Sequence, residues 1–345
     1  MGECPAGSGM EGHLEDGVVV VGGDARQRFH DARGYGRPRE SNEIELAPVE
    51  AAHLLSRGDL AAVDGLSFRE FLAAAETVVE FVVYKDLRDR GFYVSPARHG
   101  WVSDPHGIDF VVHPRGTGPD EGEVEYRVRV ADERQPLPAD ELGDVVVAIV
   151  DEDGELTYLE TTFDRFRGDV GYEPPAITGT LHADRVLVWE PPAGLYERGF
   201  YGQRLYGRNA DSGPLQLSLI EAAYLAGAGS LDLEVDAVVE RGHDLEGEWF
   251  DRRLDAYAAI RAAGSVPKSG FKFGADFRTY DEFTTVSELR HSDRLVRVVD
   301  PAHTFVPRDL SLDVRLASGV RKRMVFALTR VNDEIHWLSV QRLTP

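Results

Sequence analysis

Lysine and cysteine are the two residue types that this chain has nearly lost. Four lysines stand against thirty-four arginines, and a single cysteine, Cys4, excludes an internal disulfide. No apolar run approaches the ~20 residues of a membrane helix, and Met1 is not followed by a basic-then-apolar leader. These absences argue against a disulfide-stabilised, exported or membrane-spanning protein. They predict a soluble protein of a reducing cytoplasm.

The charge balance is strongly acidic. Acidic residues outnumber basic ones 60 to 38 over 345 residues, so the net charge is −22. Abundant Asp and Glu with almost no Lys is typical of proteins adapted to a concentrated-salt cytoplasm, where the Debye length falls to roughly 3 Å at about 1 M salt. Apolar residues still make up 42% of the chain, which excludes an acidic disordered tail and leaves enough for two or more cores.

The chain repeats itself with an offset of about 170 residues. "LAPVEAAHLL" at 46–55 corresponds to "LSLIEAAYLA" at 217–226, and both have the apolar spacing of a short amphipathic helix. "EVEYRVRVAD" at 123–132 corresponds to "HSDRLVRVVD" at 291–300. A period this long exceeds that of solenoid repeats, so the pattern indicates the tandem duplication of one larger unit.

We predict an α+β fold in which a small α/β N-terminal domain precedes a nuclease-like α/β domain with a mixed or antiparallel sheet, and this unit occurs twice. The predicted boundaries are a flexible tail at 1–12, the first unit at 13–66 and 67–165, a Gly- and Pro-containing linker at 166–177, and the second unit at 178–245 and 246–345. The last strands of the units, "ELTYLETTF" and "EIHWLSVQRL", are apolar. We expect them to pair with each other, because an exposed edge strand invites a partner.

The two copies differ in charge. The last domain, 246–345, has a net charge of +2, and "RKRMVFALTR" at 321–330 alone has +4. A subunit contact would account for this local charge. So would a phosphate-binding face, because polyanions are held by Lys and Arg.

The copies also differ in their polar residues. The second copy alone combines a tyrosine, a histidine and a lysine at the aligned positions, which are Tyr280 over His113, His291 over Glu123, and Lys322 over Gly143. Each of these residues taken singly is more often structural. Together they form the pattern of an active unit that is paired with an inactive scaffold unit.

Three segments of the last domain resemble a known family. "KSGFKFGADFRTY", "HSDRLVRVVD" and "RLASGVRKRMVFAL" closely resemble the C-terminal catalytic domain of the archaeal tRNA-splicing endonucleases. The likeness is strong over 246–345 and weaker over the whole chain, since one class of that family fuses two copies of which the first is inactive. The resemblance implies that Tyr280, His291 and Lys322 form the catalytic triad.

The chemistry of this triad can be reasoned from its groups. RNA supplies its own nucleophile, the 2′-OH beside the scissile phosphate, so an enzyme needs a base, an acid and a positive charge. The resemblance implies Tyr280 as base, His291 as acid and Lys322 as electrostatic clamp, with no metal or cofactor. The expected products are a 2′,3′-cyclic phosphate and a 5′-OH. Tyrosine is a poor base at its ordinary pKa of about 10, which Arg321 and Arg323 could lower.

The resemblance further implies a substrate and an assembly. The substrate is precursor tRNA with a bulge-helix-bulge motif, in which Arg315 and Arg342 hold a splayed-out base between their guanidinium planes. The basic neighbours Arg321 and Arg323 are further candidates for RNA binding. Two cuts require two active units, so a homodimer is implied, and closed two-fold symmetry is also the commonest oligomer.

An acidic turn in the first copy is a candidate for subunit docking. Asp151, Glu152 and Asp153 correspond to a family loop that inserts into a basic pocket of the opposite subunit. A solvated hairpin in an acidic protein is the alternative interpretation.

Two other functions stay open from the sequence. His99, His106 and His113 are spaced seven apart with acidic residues between them, and a metal-dependent hydrolase could use such groups. A non-catalytic RNA-binding or assembly subunit is the second alternative. The presence of all three triad residues argues against it.

Overall fold

The computed structural model describes residues 9–207, 210, 212–282, 284–289, 291–329 and 334–345. The first N-terminal domain is a five-stranded sheet with one helix. Its elements are β1 (Met10–Glu15), β2 (Val18–Val21), β3 (Arg37–Pro38), β4 (Ile44–Leu46), α1 (Pro48–Ser56) and β5 (Leu60–Val63). The boundary predicted for the flexible tail, 1–12, is wrong at its end. β1 starts at Met10 because its backbone pairs with both β2 and β5.

The second domain of the first copy has two helices before its strands. Its elements are α2 (Phe68–Ala75), α3 (Val78–Asp89), β6 (Tyr93–Pro96), β7 (Phe110–His113), β8 (Tyr126–Asp132), β9 (Leu137–Pro138), β10 (Val145–Val150) and β11 (Leu156–Asp164). β10, "VVVAIV", is buried at every position, as expected for an apolar run in the middle of a sheet.

The second copy repeats this order of elements. They are β12 (Thr180–Leu181), β13 (Arg185–Val188), β14 (Gln203–Arg204), β15 (Leu215–Ser218), α4 (Leu219–Gly227), α5 (Val235–Glu246), α6 (Trp249–Ala262), β16 (Val266–Ser269), β17 (Phe277–Tyr280), β18 (Arg294–Val299), β19 (Thr304–Phe305), α7 (Pro307–Gly319), β20 (Arg323–Leu328) and β21 (His336–Leu343). A capping box starts α4, in which Ser218 and Glu221 satisfy each other's free backbone N–H groups. None of the described helices is long and apolar enough to cross a membrane.

One ten-stranded sheet joins the two copies, with strand order β16-β17-β18-β20-β21-β11-β10-β8-β7-β6. Read from either end, the order runs through equivalent strands of the two copies. At the centre, β11 and β21 pair antiparallel over seven residues, from Tyr158 opposite Leu343 to Asp164 opposite Trp337. This confirms the predicted pairing of the two terminal strands, and it makes the duplicated chain a pseudo-symmetric dimer within itself.

The two faces of this sheet are buried differently. On one face each copy has its own core, which its N-terminal domain and helices complete. On the other face a single core contains side chains of both copies, among them Val147, Ile149, Phe326 and Leu338. The shared core buries apolar surface of both units together, so the copies are not independent domains on a tether.

The copies differ in two elements. β5 of the first copy has no counterpart strand in the second, where the equivalent segment forms only an isolated bridge between Ile177 and Leu231. Between β18 and β20 the second copy has the thirteen-residue helix α7, whereas the first copy has only a three-residue 3₁₀ turn, Ala139–Glu141, between β9 and β10. The short strands β9 and β19 pair with each other across the copies. One side of the molecule therefore has a helix that its pseudo-symmetric side lacks.

Candidate active site

Tyr280 and His291 line the same cavity of about 860 Å³. Tyr280 is the last residue of β17, and its ring, only 7% exposed, packs 5.6 Å from that of Phe200. His291 is exposed in the connection from β17 to β18. Asp293 ties the end of this connection to β17, because its N–H donates to the carbonyl oxygen of Thr279 and its carboxylate accepts from the N–H of Asp281.

Lys322 lies in the connection between α7 and β20. Its Nζ donates to the carbonyl oxygen of Ser292, the residue directly after His291, over 2.8 Å. Partial burial, and then the charge of Arg278, lower the pKa of the Lys322 ammonium. The side chain is absent from the cavity lining around Tyr280 and His291. The structure therefore brings two of the predicted residues, Tyr280 and His291, to one cavity. It places the Lys322 ammonium outside the lining of that cavity, at the backbone of the residue after His291.

The strand register supports the alignment of the two copies. Tyr280 pairs with Val266 at the end of the β16–β17 ladder, and His113 pairs with Tyr93 at the end of the β6–β7 ladder. Val325 lies beside Val296 as Val146 lies beside Val128, which places Lys322 over Gly143. The equivalences assigned from sequence similarity are therefore also equivalences of position in the sheet.

The two arginines predicted to clamp a base share a second cavity, of about 520 Å³. Arg315 reaches it from α7 and Arg342 from β21, while Thr157 and Leu159 of the first copy form another side. Arg308 lines the same cavity and was missed by the sequence analysis. The sequence feature that could have identified Arg308 is its spacing, because it precedes Arg315 by seven residues, or about two turns, on one helix. Within the described residues all three arginines are exposed and have no ion pair.

The other two arginines predicted to bind RNA have different surroundings. Arg321 is exposed at the end of α7 and has a positive φ of 57°. Arg323 begins β20, and its guanidinium pairs with Asp164 of the first copy at 3.1 Å. Strand alternation directs Arg323 to the opposite face from Lys322. Its cationic group thus has a partner within the chain.

Lys268 explains why a chain with so few lysines keeps one in β16. Its buried ammonium lies 2.5 Å from Oε1 of Glu221 and also donates to the carbonyl oxygens of Phe200 and Gly202. A compact ammonium with three donors suits three acceptors around one point, unlike a planar guanidinium. Burial would raise the pKa of Glu221, but Lys268 outweighs it, so that carboxyl keeps a lowered pKa. The lysine joins the second N-terminal domain to the active unit.

The acidic turn lies at the tip of the β10–β11 hairpin. Asp151 accepts from the N–H groups of Asp153 and Glu155, and Glu152 pairs with Arg134 at 2.7 Å. All three predicted docking residues are partly or fully exposed. The nine residues of β11, about 30 Å of extended chain, separate this turn from the Arg323 end of the sheet. Within one chain the turn therefore points away from the basic 321–323 segment.

The histidines of the alternative metal site do not converge in the structure. His113 is buried, with Nε2 bonded to the hydroxyl of Ser95 at 3.0 Å and Nδ1 to the carbonyl oxygen of Glu123 at 2.7 Å. His106 is exposed in a turn. Over the described part of the chain, no three His, Cys, Asp or Glu side chains are grouped to hold a metal ion.

Family models match the two kinds of domain in the chain. The "tRNA intron endonuclease, catalytic C-terminal domain" model matches residues 250–337. The "tRNA intron endonuclease, N-terminal domain" model matches twice, at 10–72 and at 177–240. The duplicated N-terminal match agrees with the two N-terminal domains of the fold, and the catalytic match covers the copy that has the tyrosine, histidine and lysine.

Relatives match over nearly the whole length. The tRNA-splicing endonuclease of Haloferax volcanii is 65% identical, covering 97% of this chain and 100% of the relative. That of Natronomonas pharaonis is 59% identical with the same coverage, and that of Methanosarcina mazei is 35% identical over 97% of this chain and 99% of its own. The two nearer relatives named here come from haloarchaea, in keeping with the acidic, lysine-poor composition. The chain thus belongs to the archaeal tRNA-splicing endonuclease family.

Proposed function

We propose that this tRNA-splicing endonuclease cuts precursor tRNA at bulge-helix-bulge sites by transesterification without a metal. The observation that carries the proposal is a cavity that Tyr280 and His291 share, with Lys322 bonded to the chain next to it. Tyr280 and His291 line one cavity, and Lys322 is bonded to Ser292 beside the histidine. The scissile phosphate would lie in that cavity between the phenol and the imidazole.

The proposed steps balance without any further reagent. Tyr280, acting as its phenolate, accepts the proton of the 2′-OH, whose oxygen attacks the adjacent phosphorus. The bond to the 5′-oxygen breaks, and His291 protonates that oxygen as it leaves. Lys322 supplies positive charge to the phosphorane. The products are a 2′,3′-cyclic phosphate and a 5′-OH, so the enzyme acts as a lyase.

Base recognition is proposed for the second cavity. Arg315 and Arg342 face the same space of about 520 Å³ without an ion-pair partner among the described residues. A flipped base can stack on guanidinium planes there, and Arg308 at the cavity edge suits a phosphate contact. Arg321 is exposed nearby in sequence, and we retain it as an RNA contact. Arg323 would reach RNA only by leaving Asp164.

A homodimer is proposed because one chain has one active unit and the substrate needs two cuts. Asp151, Glu152 and Asp153 protrude at the hairpin tip, where they are available to a second chain. A surface ion pair is worth only about 0–1 kcal/mol, and less in high salt, so this contact must become partly buried to matter.

The test is a cleavage assay of purified protein in high salt on a bulge-helix-bulge RNA, with analysis of the product ends. We expect two cuts, cyclic phosphate ends and full activity in EDTA at fixed ionic strength. Activity that is lost in EDTA and restored only by one divalent ion, or products with a 5′-phosphate, would overturn the mechanism. RNA binding without any cleavage would favour an assembly subunit.

A further inference from the structure

The linker between the two copies does not run freely through solvent. After β11 it turns across the β21, β20 and β18 strands of the second copy. Asp164 pairs with Arg323 at 3.1 Å and lies 3.9 Å from Arg294. The next contact is Phe166, whose ring packs 4.6 Å from that of Trp337 and beneath the guanidinium of Arg294, also at 4.6 Å. Two charged contacts and one buried ring thus anchor the start of the linker on the active unit.

The following residues form backbone hydrogen bonds with the active unit. Gly168 donates its N–H to the carbonyl oxygen of Ala263 at 2.8 Å, and Val170 donates to that of Gly264 at 2.9 Å. Between them, Asp169 donates its N–H at 3.1 Å to the carbonyl oxygen of Asp281, the residue directly after Tyr280. The linker is therefore bonded to the segment that holds the proposed base.

The crossing between Gly168 and Gly264 leaves no room for a side chain. A Cβ on Gly168 would stand 2.2 Å from the carbonyl oxygen of Gly264 and 2.8 Å from that of Asp281. A Cβ on Gly264 would stand 2.5 Å from the carbonyl oxygen of Gly168. All three distances lie well inside van der Waals contact, so glycine at both positions is what permits the close approach.

The same linker residues form part of the active-site cavity. Asp169, Val170 and Gly171 line it together with Tyr280 and His291. The segment that the sequence identifies only as a tether thus lies beside the reacting groups.

We propose that residues 166–171, here called the strap, form a wall of the active site and position Tyr280 for catalysis through the Asp169–Asp281 hydrogen bond. The strap residues are positioning residues, because they act through the backbone at Asp281. This inference rests on the proposed RNA cleavage at Tyr280 and His291. It adds that the connection from the silent copy is required for the rate of that cleavage.

Gly168→Ala tests the proposal, with Gly118→Ala as its control. Gly118 lies in the first copy, outside the lining of both cavities, and a Cβ there would come no closer than 3.9 Å to a neighbouring atom. Displacement of a positioned group by about 1 Å can cost roughly 10²-fold in rate. We expect Gly168→Ala to lower the single-turnover cleavage rate at saturating bulge-helix-bulge RNA by about that factor, with the dissociation constant of the RNA changed less than about threefold. Gly118→Ala should cut at the wild-type rate.

A second matched pair separates this effect from backbone strain. Gly264 and Gly91 are equivalent in the two copies, and both have positive φ, 78° and 89°. An alanine is strained at either position, but at Gly91 its Cβ would meet nothing within 4 Å. Gly264→Ala should therefore slow cleavage much more than Gly91→Ala, in which the backbone strain is present without the clash against Gly168.

If alanine at Gly168 or Gly264 prevents folding, Asp164→Asn replaces it, since this change removes the negative charge that Arg323 and Arg294 contact two residues before the strap. Its control is Glu160→Gln, which alters another contact between the copies, the hydrogen bond from Gln341. Wild-type cleavage by folded Gly168→Ala, or by Asp164→Asn in its place, overturns the strap proposal. Loss of RNA affinity with an unchanged saturated rate would also overturn it. Failure of wild type and Gly118→Ala to cut would instead overturn the proposed function.

Discussion

The two copies have equivalent strands in the central sheet, but their side chains differ at the candidate active site. Where the second copy has Tyr280 beside an open cavity, the first has His113, 4% exposed, with both ring nitrogens bonded to Ser95 and the carbonyl oxygen of Glu123. A histidine with both nitrogens engaged has no free site for substrate. The polar group of the first copy therefore serves packing.

The copies also differ at the position of Lys322. Gly143 takes the place of Lys322 with φ of 119°, and a Cβ there would stand 2.3 Å from the ring of Phe163. The first copy also has the short turn Ala139–Glu141 in place of α7, and with it lacks the helix that presents Arg315. The packing of the first copy thus leaves no space for a lysine at this position, which supports the proposal that this copy is inactive.

The first copy nevertheless contributes side chains to a candidate site of the second copy. Thr157 and Leu159 line the cavity of the proposed base clamp, and Asp164 holds Arg323 and the start of the strap. In the proposed division of roles, the first copy performs no chemistry, while its side chains line a candidate site of the second copy.

The largest effect is expected at the acid. Removing proton transfer typically costs 10²–10⁴-fold in rate, so His291→Ala should nearly abolish cleavage while RNA binding stays close to wild type. His113→Ala, at a buried position of the silent copy, should leave the rate of the chemical step near normal. Single-turnover kinetics and a binding titration on both variants decide this. Equal rates for His291→Ala and wild type would exclude the histidine as acid.

The next effect concerns a buried ion pair that only the second copy has. Lys268→Met leaves Glu221 buried without its cation, and breaking such a pair costs about 3–5 kcal/mol. Lys85→Met is the control, because its ion pair with Asp89 is half exposed on α3. We expect its cost to stay under about 0.5 kcal/mol. Denaturant unfolding at constant salt measures both losses, and equal losses would mean that the buried pair adds nothing.

The first copy offers the opposite case, a buried carboxyl with no lysine. Burial raises the pKa of Glu50 to about 7, although the N–H groups of Gly36 and Ala47 lower it. Because the folded pKa lies above the unfolded one, Glu50 favours folding most at low pH. Its contribution is lost as pH rises from about 4.5 to about 7, at about 1.4 kcal/mol per unit of pKa shift.

Unfolding of wild type and Glu50→Gln across pH 4.5–7.5 isolates this slope. The wild type alone is not sufficient, since burial lowers the pKa of His53 to about 4 and this group acts in the opposite direction below its unfolded pKa of about 6.5. The free energy of unfolding of the wild type, taken relative to that of Glu50→Gln, should fall as the pH rises. A constant difference would show that Glu50 does not titrate in this window.

A smaller effect is expected at the proposed base clamp. Stacking on one side chain is worth about 1–3 kcal/mol per base, so Arg315→Ala and Arg342→Ala should each weaken RNA binding by that amount. Arg308→Ala should cost less and reduce the salt dependence of binding, as expected for a phosphate contact. Arg127→Ala, at a surface ion pair of the silent copy, is the control. Binding titrations at several salt concentrations would refute the clamp if all four variants bind alike.

The smallest effect is expected at the hairpin tip. Replacing Asp151, Glu152 and Asp153 with Ser should weaken the proposed dimer by about 1 kcal/mol per lost ion pair or less, without unfolding either copy. Light scattering over a dilution series, together with the cleavage assay, measures the change. A dimer of unchanged affinity with full activity would identify the turn as a solvated hairpin and place the subunit contact elsewhere.

The sequence by itself determined the features that depend on local pattern. The duplication, the apolar terminal strands and the trio Tyr280, His291 and Lys322 were readable because strand alternation, helix periodicity and residue chemistry are written in consecutive residues. The central pairing of β11 with β21 followed from two apolar strands at equivalent domain ends, and the structure confirms it. Aligning the copies was sufficient to predict which of them is inactive.

Only the tertiary structure decided which distant segments meet. Arg323 was predicted as an RNA contact from its basic neighbours, but its partner, Asp164, lies 159 residues earlier in the chain. Gly168 is one of many glycines in the sequence, and its importance appears only where its backbone crosses that of Gly264 beside Asp281. Such contacts depend on how the sheet twists and where the linker crosses it. No local pattern of residues encodes that crossing. The residues that the sequence identifies only as a linker therefore form one side of the proposed active site.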